Sequence, residues 1–137
     1  MHHQVSQATG LYNVKFVMRT ESNTAQQGIF MENGSGGVLR DLEFVGGKFG
    51  AFFGNQQFTV TNLTFSGCQE AIHAIWDWGW TYHHVKVDNC GVALTMDTGS
   101  SPTAQAVASE MIVDWEITNT PVAFDLVGPS DNSTLVL

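Results

Sequence analysis

Val60-Thr61-Asn62-Leu63-Thr64-Phe65 reads apolar, polar, polar, apolar, polar, apolar, and the same order stands at four other places in the chain. The other four run from Leu11 to Phe16, Leu39 to Phe44, Tyr82 to Val87 and Ile112 to Ile117. All fifteen positions expected to point inward are apolar, and thirteen of the fifteen between them are polar, with Tyr12 and Val113 the exceptions. The anchors Val14, Leu42, Leu63, Val85 and Trp115 lie 28, 21, 22 and 30 residues apart, the spacing of a solenoid whose turns stack on one another. The two long intervals contain Arg19 to Gln27 and Thr98 to Ala108, whose Ser, Thr, Gln, Asn and Ala content is that of loops inserted in a regular coil.

A second apolar beat follows each first strand, at Ile29/Met31, Ala51/Phe53, Ile72/Ala74, Val92/Leu94 and Val122/Phe124. Both beats have the period of two that belongs to strands. No Leu/Asn consensus or helix-like segment per repeat is present, so a leucine-rich repeat is excluded. The pattern predicts an all-β, right-handed parallel β-helix of five rungs, a pectate-lyase-like solenoid filling 1–137 as a single partial domain. Its first strands are expected near 11–17, 38–45, 58–66, 80–88 and 111–118; whether a rung has two or three strands stays open. The outward column Lys15, Glu43, Thr64, Lys86, Glu116 agrees, because charges in adjacent rungs have opposite sign.

The formal net charge is -8 with five Lys plus Arg, which argues against nucleic acid and anionic membrane as partners. No stretch reaches the length of a membrane span, and no charged start followed by an apolar run marks a signal peptide. Cys68 and Cys90 sit three residues beyond the first strand in consecutive rungs, as buried thiols or as a disulfide. Gly46, Gly67, Asn89 and Asn119 take the preceding turn position, where a positive φ or local side-chain bonding is useful. A β-helix ends in open strand edges. With Leu135-Val136-Leu137 apolar and no amphipathic helix at either end, self-association into a homo-oligomer, or membership of a larger chain, is expected.

Four stretches carry a family likeness: His3 to Thr9, Gly28 to Gly37, Gly54 to Thr59 and Trp78 to Thr81. Together they resemble fungal exo-β-1,3-glucanases of glycoside hydrolase family 55, two-domain β-helical enzymes of the pectate lyase superfamily, over part of the first domain. The resemblance implies inverting hydrolysis of β-1,3-glucan, an extracellular setting and no cofactor. It also implies that the general acid comes from a second domain and that Gln7 and Ser35 help position the attacking water. Inversion needs an acid on the leaving oxygen and an activated water on the opposite face of the sugar, so this chain would carry half a site.

The residues themselves allow less. Glu32-Asn33-Gly34-Ser35-Gly36-Gly37 lacks the Lys and following helix of a phosphate loop, and nothing places a His and an acid beside Ser35 as a nucleophile would need. The loops after each second strand, Glu32 to Gly37, Gly54 to Gln57, Trp76 to Trp80 and Thr95 to Gly99, should stack on one side of the coil. They hold the Asn, Gln, Asp and Trp mixture of a sugar site, with Glu32, Asn33, Gln56, Trp76, Asp77 and Trp78 the candidate substrate contacts. Packing of the tryptophans against the coil is the competing expectation, strongest for Trp80. His83 and His84, being adjacent, are expected to project differently, and His73 falls elsewhere, so no three-ligand zinc set and no metal site is expected. A calcium-dependent lyase is disfavoured because the basic residues all fall outside the groove loops.

Asn33-Gly34-Ser35, Asn62-Leu63-Thr64 and Asn132-Ser133-Thr134 fit the N-glycosylation sequon. The functional expectation is a β-1,3-glucan-processing hydrolase domain, weak or inactive alone. The alternatives are a non-catalytic β-glucan-binding module or a structural interaction protein.

Overall fold

A computed structural model describes residues 1–4, 7–97, 106–128 and 133–137. Its strands are β1 (Gln7–Val17), β2 (Gln27–Glu32), β3 (Ser35–Val45), β4 (Phe49–Gly54), β5 (Gln57–Ser66), β6 (Glu70–Ala74), β7 (Gly79–Asp88), β8 (Val92–Asp97), β9 (Ser109–Thr118), β10 (Val122–Val127) and β11 (Thr134–Val136), with no helix among the described residues. The chain alternates between two sheets, one ordered β1-β3-β5-β7-β9-β11 and the other β10-β8-β6-β4-β2. All the pairings are parallel. The five expected first strands are all present. Residues 98–105 of the second expected loop insertion, and the sequon residue Asn132, lie outside the described residues, as do Val5 and Ser6 of the first family-like stretch.

The spacing of three and then two between inward residues has a backbone cause. Asn13, Asp41, Asn62, His84 and Asp114 all have φ between +50° and +60°, the left-handed region that Asn and Asp tolerate best. The ladders run through Leu11↔Leu39↔Val60↔Tyr82↔Ile112 and Val14↔Leu42↔Leu63↔Val85↔Trp115, with no pairing at the positive-φ residue between them. Each long strand therefore bends there and turns two successive segments toward one interior. The amide of Asn62 donates to Asp41 Oδ1 at 2.6 Å, so the bend is also tied from repeat to repeat. The four turn positions behave alike: Gly46, Gly67, Asn89 and Asn119 all have positive φ.

Stacking in register makes the core. Phe16, Phe44 and Phe65 form a continuous ring stack with centroids 4.8 and 4.6 Å apart and planes within 6°, close to the strand spacing. Leu39, Val60, Leu63, Val85 and Tyr82 line the same interior, facing Ile29, Met31, Ala51, Phe53, Ile72 and Leu94 from the other sheet. The second beat needs a correction in its later repeats. Ile72 pairs with Leu94 and Leu94 with Phe124, while Ala74 pairs with Met96 and Met96 with Leu126. The columns are thus Leu94/Met96 and Phe124/Leu126, two residues later than the pattern indicated. A shift of two preserves which face each residue takes, so alternation alone does not detect it.

On the outside, Lys15–Glu43 at 2.6 Å and Lys86–Glu116 at 3.2 Å realise the charge column, though such exposed pairs contribute little. Cys68 and Cys90 are buried free thiols. The Cys68 thiol is pushed up by its bond to Cys90 and by burial, and that of Cys90 is drawn down by the same bond.

The bend predicts a specific mutational contrast. Asn62→Val and Asn62→Gly both lose the bond to Asp41, but only Val meets the steric penalty of positive φ, about 1–2 kcal/mol. Denaturant unfolding of the two variants is expected to place Asn62→Val lower by about that amount; equal stabilities would contradict the role given to the left-handed column.

Candidate functional site

The connections from β2 to β3, β4 to β5 and β6 to β7 lie side by side. Asn33 donates its N–H to Gly54 O at 2.9 Å, Ile75 to Phe53 O at 2.8 Å, and Gly79 to Gln56 O at 3.0 Å. This edge collects the residues singled out from the sequence. Gln7 and Ser35, from separate stretches, are register partners at the start of β1 and β3. Glu32 is half-buried opposite Gly54. Asn33 is exposed with φ +60°, and Gln56 is half-buried with its N–H on Asn55 Oδ1.

Beside them is a shallow depression of about 320 Å³ lined by Gly37, Gln57, Phe58, Thr59, Gly79 and Thr81. Gly79 opens it, since a Cβ there would meet nothing within 4 Å. Trp78 is 51% exposed and rests edge-on against Trp76 at 6.0 Å.

Trp76, Asp77 and Trp80 are buried instead. The Trp76 indole lies so close over Gly54 that a Cβ there would come within 2.5 Å of Nε1. Two of the three loop tryptophans are therefore packed, the competing expectation. Asp77 is stapled between its neighbours: its Oδ1 accepts from the Asn55 N–H at 3.0 Å and its carbonyl from the Ala108 N–H at 2.7 Å. Trp80 Nε1 donates to Asn55 O at 3.1 Å. Trp76 and Asp77 thus support the edge from beneath and do not present themselves to solvent.

The sequence reading missed Glu110. It pairs in register with Trp80, which pairs with Phe58, so a carboxyl occupies an interior column and is fully buried. Its parity, two residues before the inward Ile112, was the available signal. Among the described residues neither Glu110 oxygen has a hydrogen-bond partner, and no acceptor meets Asn55 Nδ2. The group beside Glu110 is the Asp77 carboxyl, and two acids in one dry place hold a proton between them. Burial and then the Asp77 charge push Glu110 well up; burial pushes Asp77 to about 7, offset by its bonds from the Asn55 N–H and the Tyr82 hydroxyl and by the nearby Glu110 carboxyl. Both carboxyls are therefore held toward the protonated, neutral form.

The histidine expectation is corrected. His83 and His84 do not diverge: their rings stack at 3.9 Å, and both approach Asp114 Oδ2. The left-handed φ of His84 cancels the alternation that separates neighbours in a straight strand. Of the sequons, Asn33 and Asn62 are both exposed, but the Asn62 amide is engaged by Asp41.

A family model described as rhamnogalacturonase A/epimerase, pectate lyase-like, matches residues 1–95. A protein of Arthroderma benhamiae named as a probable glucan endo-1,3-β-glucosidase is 48% identical over 144 aligned residues, taking in 100% of this chain and 16% of that protein. A Cochliobolus carbonum protein named glucan 1,3-β-glucosidase is 46% identical over 87% of this chain and 15% of its own length. A Penicillium expansum protein named as a non-secreted LysM effector is 44% identical over 98% of this chain and 11% of its length. The chain thus spans a sixth or less of the relatives it matches.

The two raised carboxyls predict a stability that falls with rising pH. A carboxyl whose folded pKa is raised contributes stability that is complete below its unfolded value, roughly 4, and lost as pH rises through the folded one, here about 7 for Asp77. Melting temperature is expected to fall between mildly acidic and mildly alkaline buffer, and Glu110→Gln, which keeps the size of the side chain without its ionisation, to flatten that slope. A slope unchanged by the substitution would show that other groups cause it.

Proposed function

This chain belongs to the rhamnogalacturonase A/epimerase, pectate lyase-like family, and from that membership we propose that it is one partial β-helical domain handling β-1,3-glucan. Its alternating parallel sheets are read as faces of a right-handed coil, the hand that crossovers between parallel strands almost always take. The names of the Arthroderma and Cochliobolus relatives support the substrate class. The observation that carries the site is the register pairing of Gln7 with Ser35, which sets two polar groups side by side at the edge where the loops stack.

In this reading Gln7 and Ser35 orient a water toward the anomeric carbon, and Glu32, Asn33 and Gln56 bond to sugar hydroxyls. Trp78 offers a flat apolar face to a pyranose ring. Trp76 holds Trp78 in place, and Asp77 anchors the loop. The reaction is inverting, and the carboxylic acid that protonates the leaving oxygen comes from sequence outside this chain. Without it the rate falls by about 10² to 10⁴, so the chain by itself binds glucan better than it cleaves it.

A non-catalytic module is the second reading, favoured by the occurrence of a similar segment in a protein named as an effector. The secreted setting rests on the glucosidase names alone, since that same relative is named non-secreted. The exposed apolar ends, Val17 on one side and Leu126, Val127 and Leu137 on the other, are proposed to be covered by a second copy or by further repeats of a longer chain. A strictly monomeric chain in dilute solution would oppose the second-copy version.

The test is incubation with laminarin, measuring glucose release, beside sedimentation with insoluble β-1,3-glucan. Binding with near-background turnover, weakened several-fold by Trp78→Ala, is expected. Efficient glucose release abolished by Ser35→Ala would overturn the half-site and point to an acid within the chain. Neither binding nor turnover would remove glucan as the substrate class.

A further inference from the structure

We propose that His83, His84 and Asp114 form a binding site for a divalent transition-metal ion, with Zn²⁺ the reference ion, that ties β7 to β9. The site is separate from the loop edge and does not depend on the glucan reading.

The backbone creates it. His84 stands in the left-handed column at φ +55° and Asp114 is the next member of that column at φ +53°. His83 pairs with Val113 one position earlier. The bend at His84 brings two consecutive imidazoles onto one face, stacked at 3.9 Å with planes 21° apart. His83 Nε2 and His84 Nδ1 each lie 3.4 Å from Asp114 Oδ2, and one ligand atom from each residue falls within 4.8 Å of the others.

The distances decide what the arrangement suits. At 3.4 Å these contacts are longer than a good hydrogen bond, whose heavy atoms lie about 2.7–3.2 Å apart. Two ligands held about 2.0–2.2 Å from one ion at the tetrahedral angle are separated by roughly 3.4 Å. The donors already have the separation of ligands around an ion they share, and small rotations of exposed rings bring the third edge in. Two imidazoles with one carboxylate suit zinc, copper or nickel, whereas calcium and magnesium take oxygen.

The surroundings fit as well. All three side chains are substantially exposed, which gives an ion a path in and leaves room for water to complete its coordination. A depression of about 360 Å³ lined by Asn62, His84, Lys86, Asp114 and Glu116 opens beside two of them, His84 and Asp114. Its one cationic side chain, Lys86, is paired with Glu116 at 3.2 Å, so Asp114 is the carboxylate left to offset an incoming charge. The site also has something to hold. Trp115 and Ile117 of β9 are only partly buried, unlike Val85 and Val87 of β7, and a bridging ion would fasten this thinner part of the core to its neighbour.

The experiment is calorimetric titration of zinc chloride into the whole chain carrying His2→Ala and His3→Ala, which removes the other histidine pair. One ion per chain is expected, with a rise in melting temperature, and with millimolar Mg²⁺ or Ca²⁺ unable to displace it. His83→Ala and His84→Asn should each weaken binding by at least about tenfold. Asn is chosen at His84 because Asn13 and Asn62 fill the same left-handed position, so the variant keeps the bend; an unchanged metal-free melting temperature verifies this. Absence of binding at millimolar zinc, binding lost with His2 and His3, binding untouched in both site variants, or ready displacement by Ca²⁺ would each overturn the proposal.

Discussion

One residue per repeat held at positive φ governs this molecule. A straight parallel strand buries every second side chain on one face. Here Asn13, Asp41, Asn62, His84 and Asp114 interrupt that alternation at the same ladder position. The interruption lets a single strand contribute Leu11, Val14 and Phe16, or their equivalents, to one interior. Ordinary residues resist this conformation by about 1–2 kcal/mol, so the column is confined to short polar side chains and one histidine. Because such residues face outward, the same constraint that shapes the core also decorates the surface.

That constraint explains why so much of the fold is legible in the sequence. The template of three and then two is visible as apolar spacing, and Asn or Asp fills the intervening position in four of five repeats. The turn residues Gly46, Gly67, Asn89 and Asn119 are legible for the same reason, since positive φ leaves a compositional mark. The shorter strands are less legible. Val92/Leu94 and Leu94/Met96 have the same parity, and only the pairing Ile72↔Leu94 distinguishes them. Period identifies a face, whereas register along that face depends on contacts between distant residues.

The site divides along the same line. That the loops share one edge follows from the repeat, so Ser35, Asn33, Gln56 and Trp78 could be grouped from the sequence, whereas Gln7 joined them only through the family resemblance. Which loop residues turn inward does not follow, because a loop has no period. Trp76, Asp77 and Trp78 are consecutive, yet one lies over Gly54, one is sealed against Asn55 and Glu110, and one faces solvent. Glu110 was hidden by expectation of a different kind: a carboxyl at an inward position contradicts the pattern, and its partner is 33 residues earlier in sequence.

Burying Asp77 and Glu110 together has a cost that apolar residues of similar size would avoid. What Asp77 offers in return is geometry. Asp77 accepts from the Asn55 backbone through its carboxylate, while its own carbonyl accepts from Ala108. The adjoining Trp80 bonds Asn55 in turn. One residue thereby fixes the loop before it, the strand after it and the chain entering β9. An apolar side chain at residue 77 would fill the space but leave the Asn55 N–H without a partner, in a place where an unmade bond costs about 1–3 kcal/mol. Asp77 is therefore best understood as the fastening that holds an aperiodic loop in the register of a periodic fold, and Trp78, one residue on from it, is positioned by it.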